Sequence, residues 1–99
     1  MKILLCCEAG VTSTLFSTKL KEAATRRGVD STVWSASKYA VEFSADLADV
    51  ILVEPQLRSH VDAIKKMVPE KPVILISDDD FTNFNALKIF DQAYEAVNK

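Results

Sequence analysis

Four short apolar runs, each the length of a strand and separated by stretches with helical spacing, constrain this chain more than any other feature. Residues 2–6, 49–53 and 72–77 are rich in Ile, Val and Leu, the more polar 30–36 carries Thr32, Val33 and Trp34, and all four read as strands. Between the first two, Leu15, Phe16, Leu20, Ala23 and Ala24 recur on one helical face. Thr12, Ser13 and Thr14 offer hydroxyls to cap that helix, and Gly28 follows two arginines as its stop signal. Over residues 56–68, Leu57, Val61, Ile64, Met67 and Val68 repeat the pattern until Pro69 closes it. From residue 83 onward Leu87, Phe90, Ala93, Tyr94 and Val97 form a third stripe. A weaker period at Tyr39, Ala40, Phe43 and Leu47 predicts a short helix before the third strand.

Strands alternating with helices predict an α/β fold, because each parallel connection must cross over the sheet and the helices then cover both of its faces. The near-continuous apolar third and fourth strands read as interior, whereas the second, with Ser31, Thr32 and Ser35, reads as an edge. The expectation is a single domain over residues 1–99, a four-stranded parallel sheet of order 2-1-3-4, flavodoxin-like. In such sheets ligands sit beyond the carboxyl ends of the strands where the order reverses, here between the first and third. Two loops therefore matter, one following Cys6 and one following Val53.

Composition removes several function classes. A net charge of -2 with no basic cluster argues against nucleic acid, whose phosphates call for a concentrated cationic face. The longest apolar runs, residues 50–53 and 73–76, fall far short of the roughly 20 residues that span a bilayer. No secretory signal is expected, nor direct membrane insertion, and the expected location is the cytoplasm. The two cysteines, Cys6 and Cys7, are adjacent and provide neither a scaffold disulfide nor a metal-ligand set. No metal and no cofactor is expected.

The loop after the first strand reads Cys7-Glu8-Ala9-Gly10-Val11-Thr12-Ser13-Thr14. A thiol at a strand end, a glycine that lets backbone N–H groups turn inward, and hydroxyl residues at a helix start together form an anion cradle around a sulfur. The positive end of the helix dipole is expected to lower the pKa of Cys7 and favour its nucleophilic thiolate. Strand alternation points Cys6 away from Cys7, so Cys6 is expected to be packed and inert.

This loop, following an apolar strand, resembles the phosphocysteine loop of the lactose/cellobiose-type enzyme IIB of the bacterial phosphotransferase system. Ala48-Asp49-Val50-Ile51-Leu52-Val53-Glu54-Pro55-Gln56 is similar to that family's third strand and its Gly-Pro-Gln turn, and the likeness extends over essentially the whole chain. The resemblance implies a phosphotransferase in which Cys7 accepts a phosphoryl group from a phosphohistidine on enzyme IIA. The group then passes to a disaccharide of the cellobiose, lactose or chitobiose class held by the membrane component IIC. Glu8, Ala9, Gly10, Val11, Thr12, Ser13 and Thr14 would hold the phosphoryl oxygens.

Two positions depart from that pattern. Glu8 stands where the family usually has a small residue, and Glu54 replaces the glycine before Pro-Gln; both acids are expected near the site, where they could select a basic face on a partner. A low-molecular-weight phosphatase shares the sheet and the cysteine loop but needs an Arg six residues after its nucleophile, where this chain has Ser13. In that reading one of Asp78, Asp79 and Asp80 would be the general acid; a solvated loop with a helix cap is the plainer expectation. A receiver domain would need acidic residues where Cys6 and Cys7 stand. A non-enzymatic binding module remains an alternative, its loop hydroxyls simply capping the helix. His60 and Arg58 read as surface residues, and Trp34 as packing against a helix.

Overall fold

The computed structural model describes residues 1–8 and 11–98, for Val11 and Thr12 the backbone alone. Its strands are β1 (Lys2–Cys7), β2 (Thr32–Ser37), β3 (Val50–Val53) and β4 (Val73–Leu75). All pairings are parallel, in the order β2-β1-β3-β4. The helices are α1 (Val11–Arg26), α2 (Val41–Ser44), α3 (Val61–Met67), α4 (Asp78–Thr82) and α5 (Ala86–Val97).

Alternation along the strands divides the core in two. Ile3, Leu5 and Cys7 of β1, with Val50 and Leu52 of β3, pack against Phe16, Leu20 and Ala24 of α1 and Ile89, Phe90 and Ala93 of α5. Leu4, Cys6, Ile51 and Val53 face the other way, onto Val41, Ala45, Leu57, Ile64 and Val68. Each buried large aliphatic side chain contributes about 1.5–3 kcal/mol relative to an exposed one. With both faces covered, β1 and β3 must be apolar throughout, as their sequences are.

Helix α1 ends as its sequence predicts. Gly28 takes a φ of +69°, the Gly28 N–H donates to the Thr25 carbonyl and the Val29 N–H to the Ala24 carbonyl, each at 3.0 Å. This is a Schellman termination, which a left-handed glycine permits at little cost. At the other end the helix begins at Val11, so Thr12, Ser13 and Thr14 lie inside its first turn and not at the cap.

Three expectations are corrected. The fourth strand is an edge of the sheet, only three residues long, with Val73 and Ile74 half-buried and Leu75 exposed. Its apolar run reflects packing on one helix layer on each side at an edge, not an interior position. In the segment before β3, Val41, Ala45 and Ala48 face the sheet, and Tyr39 and Phe43 are 77% and 79% exposed. Small residues allow close approach to the sheet, and in so short a helix the larger aromatics take the opposite side. The segment expected to be one helix over residues 56–68 is a 3-10 run, Pro55–His60, followed by α3; Leu57, at φ -107° and ψ 20°, marks the kink. His60 ends that run half-buried.

The aspartate cluster forms the first turn of α4. Ser77 caps this helix, its Oγ accepting from the Asp80 N–H at 3.1 Å. Ser77→Ala is expected to lower the unfolding free energy by about 1 kcal/mol, measured by urea denaturation.

Candidate functional site

The strand ends place Cys7, Ser37, Glu54 and Ser77 at one edge of the fold. Cys7 is the last residue of β1, and Ser13, in the first turn of α1, hydrogen-bonds to its thiol. Across the sheet Cys6 pairs with Val53, and the Glu54 N–H donates to the Cys6 carbonyl at 3.1 Å. The register thus carries Glu54 to the position beside Cys7. Because Glu54 shares the parity of Leu52, its side chain turns to the α1 face of the sheet, the face that Cys7 also occupies.

On that face Ser13 joins the two loops. Its Oγ lies 2.9 Å from Glu54 Oε1 and 2.9 Å from the Glu8 carbonyl oxygen. Glu54 is 0% exposed, and its Oε2 has no hydrogen-bond partner among the described residues. Burial pushes the Glu54 carboxyl up from an ordinary 4.5 to about 7, with Glu8 adding to the rise, while hydrogen bonds from Ser13 and the Glu8 backbone oppose it. Glu54 is therefore a buried neighbour of the thiol and not a surface acid; the expectation that it selects a partner's basic face does not hold. Glu8 is exposed.

The two cysteines separate as alternation requires. Cys6 packs among Leu4, Ile51 and Val53, and burial, with Cys7 and Glu54 nearby, lifts its thiol to about 11. Cys7 is 7% exposed. Its pKa is raised, first by burial and then by Glu54, against hydrogen bonding from Ser35 and Ser13. This reverses the expectation of a lowered value: taking the sulfur out of water and placing it near a carboxyl outweighs the favourable dipoles around it. At neutral pH Cys7 rests as a thiol.

Of the remaining loop residues, Ala9 and Gly10 lie outside the described residues, as do the side chains of Val11 and Thr12. Thr14 is exposed on the first turn of α1, where its carbonyl accepts from Thr18 Oγ1 at 3.1 Å. Arg58 does not turn to Cys7; it donates to the Pro55 carbonyl at 2.9 Å and pairs with Asp78 at 3.7 Å in solvent. Asp80 is buried and accepts from Asn85 at 2.9 Å and from Lys88 at 3.1 Å. Those bonds hold its carboxyl below the usual range, in the ionised form, which unsuits it to be a phosphatase general acid. Trp34 is half-buried against the α2–α3 side of the core.

The sequence profile of the lactose/cellobiose-specific IIB subunits of the phosphotransferase system matches residues 2–92. The chain belongs to that family. Among solved structures, this IIB family member superposes with a TM-score of 0.82 on the lactose-specific IIB component domain from Streptococcus pneumoniae, at 20% identity over 95% of this chain and 97% of that one. With the cellobiose-specific phosphotransferase IIB component protein from Borrelia burgdorferi the TM-score is 0.81, at 25% identity over 99% of this chain and 92% of that one. A curated relative, the oligo-beta-mannoside-specific EIIB component of Bacillus subtilis (strain 168), is 34% identical over 56 residues. That match spans 57% of the family member and 54% of the relative, about half the length of each.

Sequence reasoning placed Cys7, Glu8 and Ser13 together but missed the burial of Glu54 and its bond to Ser13. The signal was present: Leu52 and Glu54 share a strand parity, and β3 lies beside β1.

Proposed function

We propose that this chain is the phosphoryl carrier of a disaccharide phosphotransferase system, with Cys7 as its acceptor. A phosphohistidine on enzyme IIA donates, the Cys7 sulfur attacks phosphorus in line, and the group passes on to a sugar held by the membrane component IIC. Backbone N–H groups from Glu8 to Thr14, at the positive end of α1, hold the phosphoryl oxygens, with the hydroxyls of Thr12 and Thr14 assisting. Family membership supports the chemistry. The observation that carries the assignment is the position of Cys7, at the carboxyl end of β1 and hydrogen-bonded by Ser13 from the first turn of α1.

Hydrolysis is disfavoured by the same loop. The position six after Cys7 is Ser13, whose Oγ lies against Glu8 and Glu54, and Arg58 is held at Pro55 and Asp78. Without a guanidinium at the phosphoryl group, the charge built up in hydrolysis lacks its main support. A carrier gains from this, since its thiophosphate must persist until the next protein arrives. The carrier works in the cytoplasm as a single domain and meets the membrane through IIC; no described helix is long and apolar enough to cross it.

Incubation with phosphoenolpyruvate, the two general phosphotransferase proteins and a cellobiose- or lactose-type IIA tests this reading. Intact-protein mass spectrometry is expected to show a gain of one phosphoryl group. No gain with any such IIA would overturn it.

A further inference from the structure

We infer that Glu54, acting through the Ser13 hydroxyl, takes up the thiol proton of Cys7 as the phosphoryl group arrives. The inference rests on Cys7 being the phosphoryl acceptor. It makes Glu54 a proton-holding and positioning residue, since Ser13 hydrogen-bonds both its carboxyl and the Cys7 thiol.

Ser13 Oγ is 2.9 Å from the Glu8 carbonyl and 2.9 Å from Glu54 Oε1, yet a hydroxyl has one hydrogen. The Glu8 carbonyl can only accept. With Glu54 ionised, the single Ser13 hydrogen is shared between the two acceptors or turned to one of them; with Glu54 protonated, the carboxyl can donate to Ser13 while Ser13 donates wholly to Glu8. The arrangement therefore has two states, told apart by one proton on a fully buried carboxyl.

Glu54 is 0% exposed, with Oε2 unpartnered among the described residues, and a buried carboxylate in that position is costly. The ionisable groups close enough to influence it are Cys7 on the same face, Cys6 across the sheet and Glu8 from the loop, all acidic types. Arg58 and Asp78, at the same end of the sheet, pair with each other in solvent. A carboxyl displaced to about 7 is divided between its two forms near neutral pH, the condition under which a proton acceptor works best. The thiol beside it is raised and must lose its proton to react.

The step balances as follows. The sulfur–phosphorus bond forms while the phosphorus–nitrogen bond of the donor histidine breaks, and the imidazole nitrogen keeps that electron pair. The thiol proton moves to Ser13 Oγ as the Ser13 proton moves to Glu54 Oε1. The product pairs a dianionic phosphocysteine with a neutral Glu54, so two anions do not share the cavity. Ser13 is then free to donate to Glu8, fixing the start of the loop in the arrangement observed.

The test compares phosphoryl uptake from phosphorylated IIA, from about pH 6 to about pH 9, in the wild type, Glu54→Gln and Ser13→Ala. Alkylation of Cys7 by iodoacetamide in a Cys6→Ser background reads thiol acidity alongside. Wild-type uptake is expected to rise through an inflection near 7. Glu54→Gln is expected to lose that inflection and to transfer roughly tenfold or more slowly at high pH, even though its thiol becomes more acidic once the neighbouring charge is gone. Ser13→Ala should move in the same direction. Uptake by Glu54→Gln as fast as wild type or faster, which thiol acidity alone predicts, would overturn the inference. Should the variants fail to fold, carbon-13 resonances of the wild-type Glu54 carboxyl decide: phosphorylation should raise its titration point, and a carboxyl indifferent to the state of Cys7 overturns the inference. A wild type that gains no phosphoryl group overturns the acceptor reading itself, whereas transfer with an unchanged pH profile strikes Glu54 alone.

Discussion

Cys7→Ser is expected to lose phosphoryl uptake by at least ~1000-fold, the scale seen when covalent nucleophiles are removed. The hydroxyl would occupy the same place at the end of β1, but an alcohol ionises far less readily than a thiol and is a poorer nucleophile toward phosphorus. Cys6→Ser gives the control with opposite logic. Cys6 faces Ile51 and Val53 on the other side of the sheet, its thiol raised to about 11, and cannot reach a donor without unpacking that core. Its replacement leaves uptake near the wild-type level. The price appears in stability, since a hydroxyl in an apolar cluster costs roughly 1–3 kcal/mol. Uptake is read by intact mass after a fixed time with phosphorylated IIA, and stability separately by urea denaturation. Equal loss of uptake in the two variants would contradict the division of labour between the sulfurs.

The wild type is also expected to lose stability as pH rises through the neutral range. The Glu54 carboxyl binds its proton more tightly folded, at about 7, than unfolded, at an ordinary 4.5. Between those values unfolding releases a proton, so the contribution is complete below 4.5 and is lost as pH climbs through about 7. A displacement of this size corresponds to about 3 kcal/mol. The other displaced groups titrate elsewhere: Asp80 and Asp91 are lowered carboxylates, Cys6 and Cys7 are raised thiols, and Arg27 is a raised guanidinium. The difference between wild type and Glu54→Gln isolates the effect. Urea unfolding near pH 5 and near pH 8 should show a fall in the wild type that Glu54→Gln lacks, and parallel curves for the two proteins would refute a buried, proton-binding Glu54.

How legible each part was in the sequence follows from how directly it depends on spacing. The strand order and α1 with its Gly28 stop rest on periodicity and on one glycine at positive φ, and both were readable. So was the opposition of Cys6 and Cys7, since alternation in a strand leaves no other arrangement. The short helix α4 was not, because the aspartate run read as a solvated loop ahead of a helix from residue 83; α4 is instead parted from α5 at Phe84, a non-glycine residue at φ +53°. Its ring lies 6.5 Å from Phe16, so tertiary packing accompanies a conformation that local preference disfavours. The face of α2 was equally hidden, since apolar residues lie on both of its sides. Glu54 was misplaced because carboxylates are outside by default. Only strand parity carried through the end of β3 would have turned it inward, and the hydroxyl that receives it, Ser13, lies 41 residues away in sequence.

Locating the phosphoryl group at residue level tests the central claim most directly. After incubation with phosphorylated IIA, the protein is digested under conditions that preserve thiophosphates and its peptides are sequenced by mass spectrometry. The expected result is a single modified residue, Cys7, in the peptide that joins β1 to α1. A phosphoryl group on His60, on an aspartate of the Asp78–Asp80 turn or on Cys6, with Cys7 unmodified, would contradict the account.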